Sequence, residues 1–106
     1  MNIMLFDLTN DNINDFINKS SGLVLVEFYT TTCKNCQSLL PILEDISDDY
    51  YGKLKVYKIN CETEIQLADT YDVFSLPTTI LFENELPLKE ISGLHSYNQI
   101  VSWLDL

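Results

Sequence analysis

Glycine and proline are scarce, with three of each in 106 residues. Flexible linkers and Pro-rich recognition segments are thereby excluded, and each Gly or Pro marks a specific piece of local structure. Cysteine is equally sparse at three, too few for a disulfide framework. Positive charge is short as well: six Lys+Arg face 16 Asp+Glu, a formal net charge of −10. Such a surface repels phosphate backbones and anionic lipid heads, so nucleic acid and membrane are not expected partners. A steered encounter with basic partners stays open. No apolar run approaches the ~18 residues that a membrane span needs. The first twenty residues have no basic stretch followed by an apolar one and carry Asp7, Asp11 and Asp15 instead. The expectation is a chain without a secretory signal, cytoplasmic in location.

What is present fits an ordinary globular protein: 46% hydrophobic and 21% charged residues. The length suits a single domain, residues 1–106, built on one core. Met4–Phe6 is a candidate first strand. Thr9 or Asn10 can cap a helix with Ile13, Phe16 and Ile17 on its apolar face, ended by Ser20-Ser21-Gly22. Leu23–Tyr29 (LVLVEFY) is a nearly continuous run of β-formers, as in a strand buried on both faces and paired in parallel. Thr30-Thr31-Thr32 leads into a helix over about Cys33–Tyr50 that contains Pro41, where a kink is expected. Leu54–Ile59 reads as the next strand. Thr63-Glu64-Ile65-Gln66 matches a capping box opening a short helix to about Tyr71. Pro77–Phe82 and Leu86–Ile91 read as a hairpin around Glu83–Glu85, with Pro87 marking an edge strand. Ser96-Tyr97-Asn98-Gln99 is a second capping box, opening a final helix with Tyr97, Ile100, Val101 and Leu104 on one face. The order βαβαβαββα predicts an α/β fold, a mixed central sheet with helices on both faces.

The chemistry concentrates at Cys33-Lys34-Asn35-Cys36, where a buried strand gives way to a helix. The first helical N–H groups lack backbone partners, and the macrodipole places partial positive charge there. Both stabilise a thiolate on Cys33, and Lys34 adds a positive charge beside it. Thiols in such positions have pKa values of roughly 3.5–7.5, against about 8.5 for a free Cys. One unit is about 1.4 kcal/mol, enough to turn a few per cent of thiolate into a large fraction at neutral pH. Cys36, one turn deeper, is expected to be less exposed. Cys33 therefore attacks and Cys36 resolves, with the i, i+3 spacing bringing the sulfurs within bonding reach. Two rivals stand beside this: a pair of inert helix cysteines, and a zinc site. Zinc needs about two further ligands, and only Cys61 and His95 are on offer.

Four segments at mutually consistent spacings make the chain similar to the thioredoxin family over essentially its whole length. VEFYTTTCKNCQSLLPILEDI resembles the family's active-site strand and helix, with Glu27 in place of a buried aspartate and Pro41 as the helix proline. Lys58-Ile59-Asn60 resembles the end of the central strand that carries the acid's lysine partner. Leu76-Pro77-Thr78 resembles the cis-proline segment facing the dithiol, and Gly93 matches the glycine beside the substrate groove. The resemblance implies a thioredoxin-like three-layer α/β/α fold. It implies a protein-disulfide reductase that works through a mixed disulfide, with no cofactor beyond the Cys33–Cys36 disulfide. It further implies disulfide-containing client proteins and a flavoprotein of the thioredoxin reductase type; a monomer is the default expectation. Thr32, Lys34, Asn35, Leu76, Pro77 and Gly93 would line the client surface.

The residues also speak for themselves. Glu27 is the only charge in an apolar strand, which suggests burial, a raised pKa and a role as proton acceptor for Cys36; the bland reading is a solvent-facing strand residue. Lys58 would restrain that shift by attraction, or be an ordinary exposed lysine. Gly93 would admit a close approach, or simply turn the chain. Only about 5–6% of X–Pro bonds are cis, so a cis Pro77 rests on the resemblance alone. Cys61 reads as a structural thiol, with regulatory oxidation the lesser reading, and His95 as a surface residue. The chain departs from the family's usual Trp-Cys-Gly-Pro-Cys at Thr32, Lys34 and Asn35. That leaves room for an oxidase or isomerase, or for a non-catalytic binding module on the same fold.

Overall fold

The computed structural model describes residues 5–18 and 22–106. Met4, in the expected first strand, and the Ser20-Ser21 helix end lie outside the described residues. The five strands are β1 (Phe6–Asp7), β2 (Leu23–Tyr29), β3 (Leu54–Asn60), β4 (Thr78–Glu83) and β5 (Leu86–Ser92). The α-helices are α1 (Lys34–Asp49), α2 (Ile65–Thr70) and α3 (Tyr97–Leu104). The sheet order is β1-β3-β2-β4-β5.

Strand β2 lies at the centre because its sequence can be buried on both sides. Val24, Leu25, Val26, Glu27 and Phe28 are all buried. Parallel pairing is found on one side only: β2 runs parallel to β3 but antiparallel to β4. The β4–β5 hairpin reverses the chain, so the sheet is mixed. At its tip Asn84 and Glu85 both have positive φ, 50° and 70°, as a two-residue hairpin connection requires. Asn84 also docks on the start of β2, its Oδ1 accepting from Gly22 N at 3.1 Å.

Alternation along β2 divides the core in two. Leu25 faces Leu39, Leu43 and Ile46 of α1 and Ile100 and Leu104 of α3. Val24, Val26 and Phe28 face Ile13, Ile17 and Leu67 on the other side. Full burial of each such side chain is worth roughly 1.5–3 kcal/mol relative to exposure. This is the three-layer α/β arrangement expected from the element order.

Two local expectations change. The first helical segment, Asn14–Asn18, is wound as a π-helix. Thr9 still caps its approach, through paired bonds with Asn12: Thr9 N donates to Asn12 Oδ1 at 2.8 Å and Asn12 N to Thr9 Oγ1 at 3.3 Å. The capping box at Thr63–Gln66 does not form, and α2 starts without a side-chain cap. Thr63 Oγ1 instead donates to Asn60 O at 3.3 Å, holding the turn that leaves β3. Glu64 Oε1 accepts from Asn10 N at 2.8 Å. The box at Ser96 forms in both directions.

Candidate dithiol site

Cys33 is the N-cap of α1, in extended conformation at φ −81°, ψ 112°. Its Sγ accepts a hydrogen bond from Cys36 N at 3.2 Å, so one of the orphan N–H groups of the helix start points at the sulfur. The two cysteines are joined as a disulfide, with Cα atoms 5.2 Å apart. Cys33 is half-buried, Cys36 only 2% exposed. The asymmetry anticipated from the spacing is present: Cys33 is the more exposed of the two and Cys36 belongs to the buried core. Pro41 lies inside α1.

The Thr30–Thr32 approach to the helix is tied down by a residue that sequence reasoning passed over. Glu62 Oε1 accepts from both Thr31 N and Thr31 Oγ1, each at 2.7 Å. These bonds hold the Glu62 carboxyl below its usual range. Gln37 Nε2 donates to Thr31 O at 2.7 Å, closing the loop onto α1. Thr32, Lys34 and Asn35 are exposed around the disulfide.

Beneath the disulfide lies a row of polar side chains across the sheet. Register places Asp7 opposite Lys58, Lys58 opposite Glu27, and Glu27 opposite Thr79, on four neighbouring strands. Glu27 is 1% exposed, and its Oε2 and the Thr79 Oγ1 have no hydrogen-bond partner among the described residues. Burial pushes the Glu27 carboxyl up from 4.5 to about 8, with the Lys58 charge pulling the other way. Lys58 makes its ion pair elsewhere, its Nζ lying 3.8 Å from Asp7 Oδ2. A cavity of about 170 Å³ is bordered by Glu27, Lys58, Tyr29 and Cys36 together. It gives the buried carboxyl and the inner sulfur a common space. A larger cavity, about 460 Å³, lies by the starts of β2 and β3 and borders none of these four residues.

The remaining candidates gather at the same end of the sheet. Phe28 pairs with Thr78 and Thr78 with Ser92, so the end of β2, the start of β4 and the end of β5 lie side by side. Pro77 directly precedes β4, and its bond to Leu76 is cis. Gly93 directly follows β5 and donates its N–H to Pro77 O at 2.8 Å. Its φ of 90° lies in the left-handed region that favours glycine, and a Cβ there would meet nothing within 4 Å. Phe74, 90% exposed, stands three residues before Pro77.

Cys61 and His95 stay apart from the dithiol. Cys61 is a free, half-buried thiol whose pKa burial pushes up. The His95 Nε2 lies 2.8 Å from Ser92 O. Among the described residues no group of three or more His, Cys, Asp or Glu side chains is placed to hold a metal ion. Nor is any helix among them long and apolar enough to cross a membrane.

A disulfide at the N-terminus of a helix, on a mixed five-stranded sheet and beside a buried carboxyl, defines a dithiol–disulfide redox site. Comparison with known proteins agrees. The thioredoxin family model matches residues 4–106. A thioredoxin of Rickettsia bellii is 33% identical over 102 residues, covering 96% of this chain and 97% of that protein. A thioredoxin of Staphylococcus aureus is 34% identical over 92 residues, covering 86% and 88%. The chloroplastic thioredoxin Y of rice is 34% identical over 97 residues, which are 92% of this chain and 58% of that protein. The chain belongs to the thioredoxin family. It is a thiol–disulfide oxidoreductase of the disulfide-reductase kind, whose redox-active group is its own Cys33–Cys36 disulfide. Family membership brings disulfide substrates and a thioredoxin reductase as its general partners.

Proposed function

We propose that the chain is a single-domain, cytoplasmic, monomeric reductant of protein disulfides in which Cys33 attacks and Cys36 resolves. The Cys33 thiolate attacks one sulfur of a client disulfide. A Cys33–client bond forms, and the other client sulfur leaves as a thiolate. Cys36 then passes its proton to the ionised form of the Glu27 carboxyl and attacks Cys33 Sγ. The client's second sulfur departs as a thiolate; two electrons have moved to the client, whose two thiolates take up one proton from Glu27 and one from water. A flavoprotein reductase returns the Cys33–Cys36 disulfide to the dithiol.

The observation that carries this reading is the shared cavity joining buried Glu27 to the inner sulfur, with the outer sulfur held on a helical N–H. A carboxyl near pKa 8 lies close to the range of a free thiol, about 8.5, so a proton passes between them at little cost. Lys58, by attraction, keeps that value from rising further. Thr32, Lys34 and Asn35 form one side of the client surface. Leu76, Pro77 and Gly93 form the other, where an extended client segment pairs with the backbone of half-buried Leu76, Pro77 itself being buried. The open space over Gly93 supports that placement.

Cys36→Ser should accumulate mixed disulfides between Cys33 and client proteins, visible on non-reducing gels and released by dithiothreitol. An absence of adducts while wild type turns over would sink the assignment of the two roles. The reduction potential of the pair, measured against a dithiol buffer, should lie near or below about −250 mV. A value above about −200 mV would favour an oxidase or isomerase, since ~30 mV is about 1.4 kcal/mol for a two-electron couple. Retention of full cellular function by Cys33→Ser would point to a non-catalytic binding module.

A further inference from the structure

Lys58 faces a choice between two carboxylates. It stands between Asp7 and Glu27 in the row across β1, β3 and β2. Its ammonium is 3.8 Å from Asp7 Oδ2 and lies over the Tyr29 ring, 5.2 Å from the centroid. Tyr29 in turn donates its hydroxyl to Asp7 Oδ1 at 2.5 Å. Among the described residues no ion pair within 4 Å joins Lys58 to Glu27. Just after β1 the chain is tied to the same residue, Leu8 N donating to Lys58 O at 2.8 Å.

We infer that Asp7 and Tyr29 are positioning residues for Lys58. Together they hold its ammonium on the β1 side of the row and leave the Glu27 carboxyl beside Cys36 without a cation in contact. The inference rests on the proton-accepting role proposed for Glu27, and it says what keeps that carboxyl able to exchange a proton. An opposite charge in contact lowers a carboxyl's pKa by roughly 1–3 units. Contact with Lys58 would therefore pull the carboxyl well below the thiol range, so that the carboxylate, though ionised, would be too weak a base to take the Cys36 proton. The groups that bear on Glu27 are Lys58 from β3, Cys36 from α1, Tyr29 from its own strand, and behind Tyr29 both Asp7 from β1 and Cys61. Thr79 from β4 and Gln37 and Leu40 from α1 carry no charge. Burial and the Asp7 bond keep the Tyr29 phenol protonated well beyond neutral pH, so it remains a donor.

The test is the titration of the Glu27 carboxyl by carbon-13 NMR in oxidised protein labelled at the glutamate carboxyls, with Glu27→Gln used to assign the resonance. Wild type should titrate near 8. Tyr29→Phe, which changes no charge in this range, and Asp7→Asn should each lower the midpoint by about one unit. In the Lys58→Met background the Tyr29→Phe shift should vanish. The Asp7→Asn shift should shrink there to the small direct effect of the lost charge. An unmoved midpoint in Tyr29→Phe overturns the inference. So does an Asp7→Asn shift of undiminished size in the Lys58→Met background. Disulfide turnover by Glu27→Gln is read separately. If it is impaired while the midpoints stay fixed, the positioning role alone fails. If the midpoints move as expected while turnover matches wild type, the positioning stands and only the proton-accepting role of Glu27 fails.

Discussion

Burial moves the Glu27 carboxyl far from its ordinary chemistry. In the unfolded chain its carboxyl titrates near 4.5, in the folded protein near 8. Between those values the folded state holds a proton that the unfolded state has lost, so unfolding releases it. Stability therefore falls as pH rises from about 5 to about 8, at up to about 1.4 kcal/mol per unit. Below about 4.5 both states are protonated and Glu27 contributes no slope. Glu27→Gln should abolish this decline, because the amide carries no titrating proton. Urea unfolding of wild type and variant at pH 5, 6.5 and 8 checks it. The two curves should separate progressively with pH, and parallel curves would show that Glu27 is already ionised in the folded protein.

At the scale of elements, the two capping boxes make an instructive pair. Thr63–Gln66 and Ser96–Gln99 carry the same kind of signature, yet only the second forms. Ser96 Oγ accepts from Gln99 N at 3.2 Å, and Gln99 Oε1 accepts from Ser96 N at 2.9 Å. Ser96 uses its hydroxyl for the cap, whereas Thr63 stands in the turn after β3 and its hydroxyl bonds Asn60 O instead. Ser96→Ala should cost about 1 kcal/mol of stability in denaturant unfolding. It should leave the redox potential of the dithiol unchanged, since Ser96 bonds only within its own helix start. The helix that matters most, α1, was legible from its apolar spacing and its Cys at the start. Its tether through Thr31 and Glu62 was not, because the partner sits 31 residues away in another loop.

For the molecule as a whole, the excess of acid is the broadest feature. With a net charge of −10, encounters with basic clients are accelerated by the long-range field. Salt shortens that field, with a Debye length of about 30 Å at 0.01 M and about 8 Å at 0.15 M. Second-order rates of disulfide reduction should therefore fall several-fold over this range for a basic client and rise for an acidic one. Stopped-flow traces with two clients of opposite charge would show it, and equal salt dependence for both would remove charge from the account of client choice.

The sequence by itself determined the element order, the central buried strand, the placement of Cys33 and Cys36 at a helix start, and the isolation of Glu27 among apolar neighbours. These are local properties: periodicity, residue type and short spacing decide them. The pairing of Lys58 with Asp7, the Tyr29 hydroxyl that joins them, the Thr79 neighbour of Glu27 and the cavity shared with Cys36 were decided only in the tertiary structure. Asp7, Glu27, Lys58 and Thr79 stand on four separate strands, and strand register alone aligns them. Register follows from how all five strands bury their faces together, which no single segment encodes.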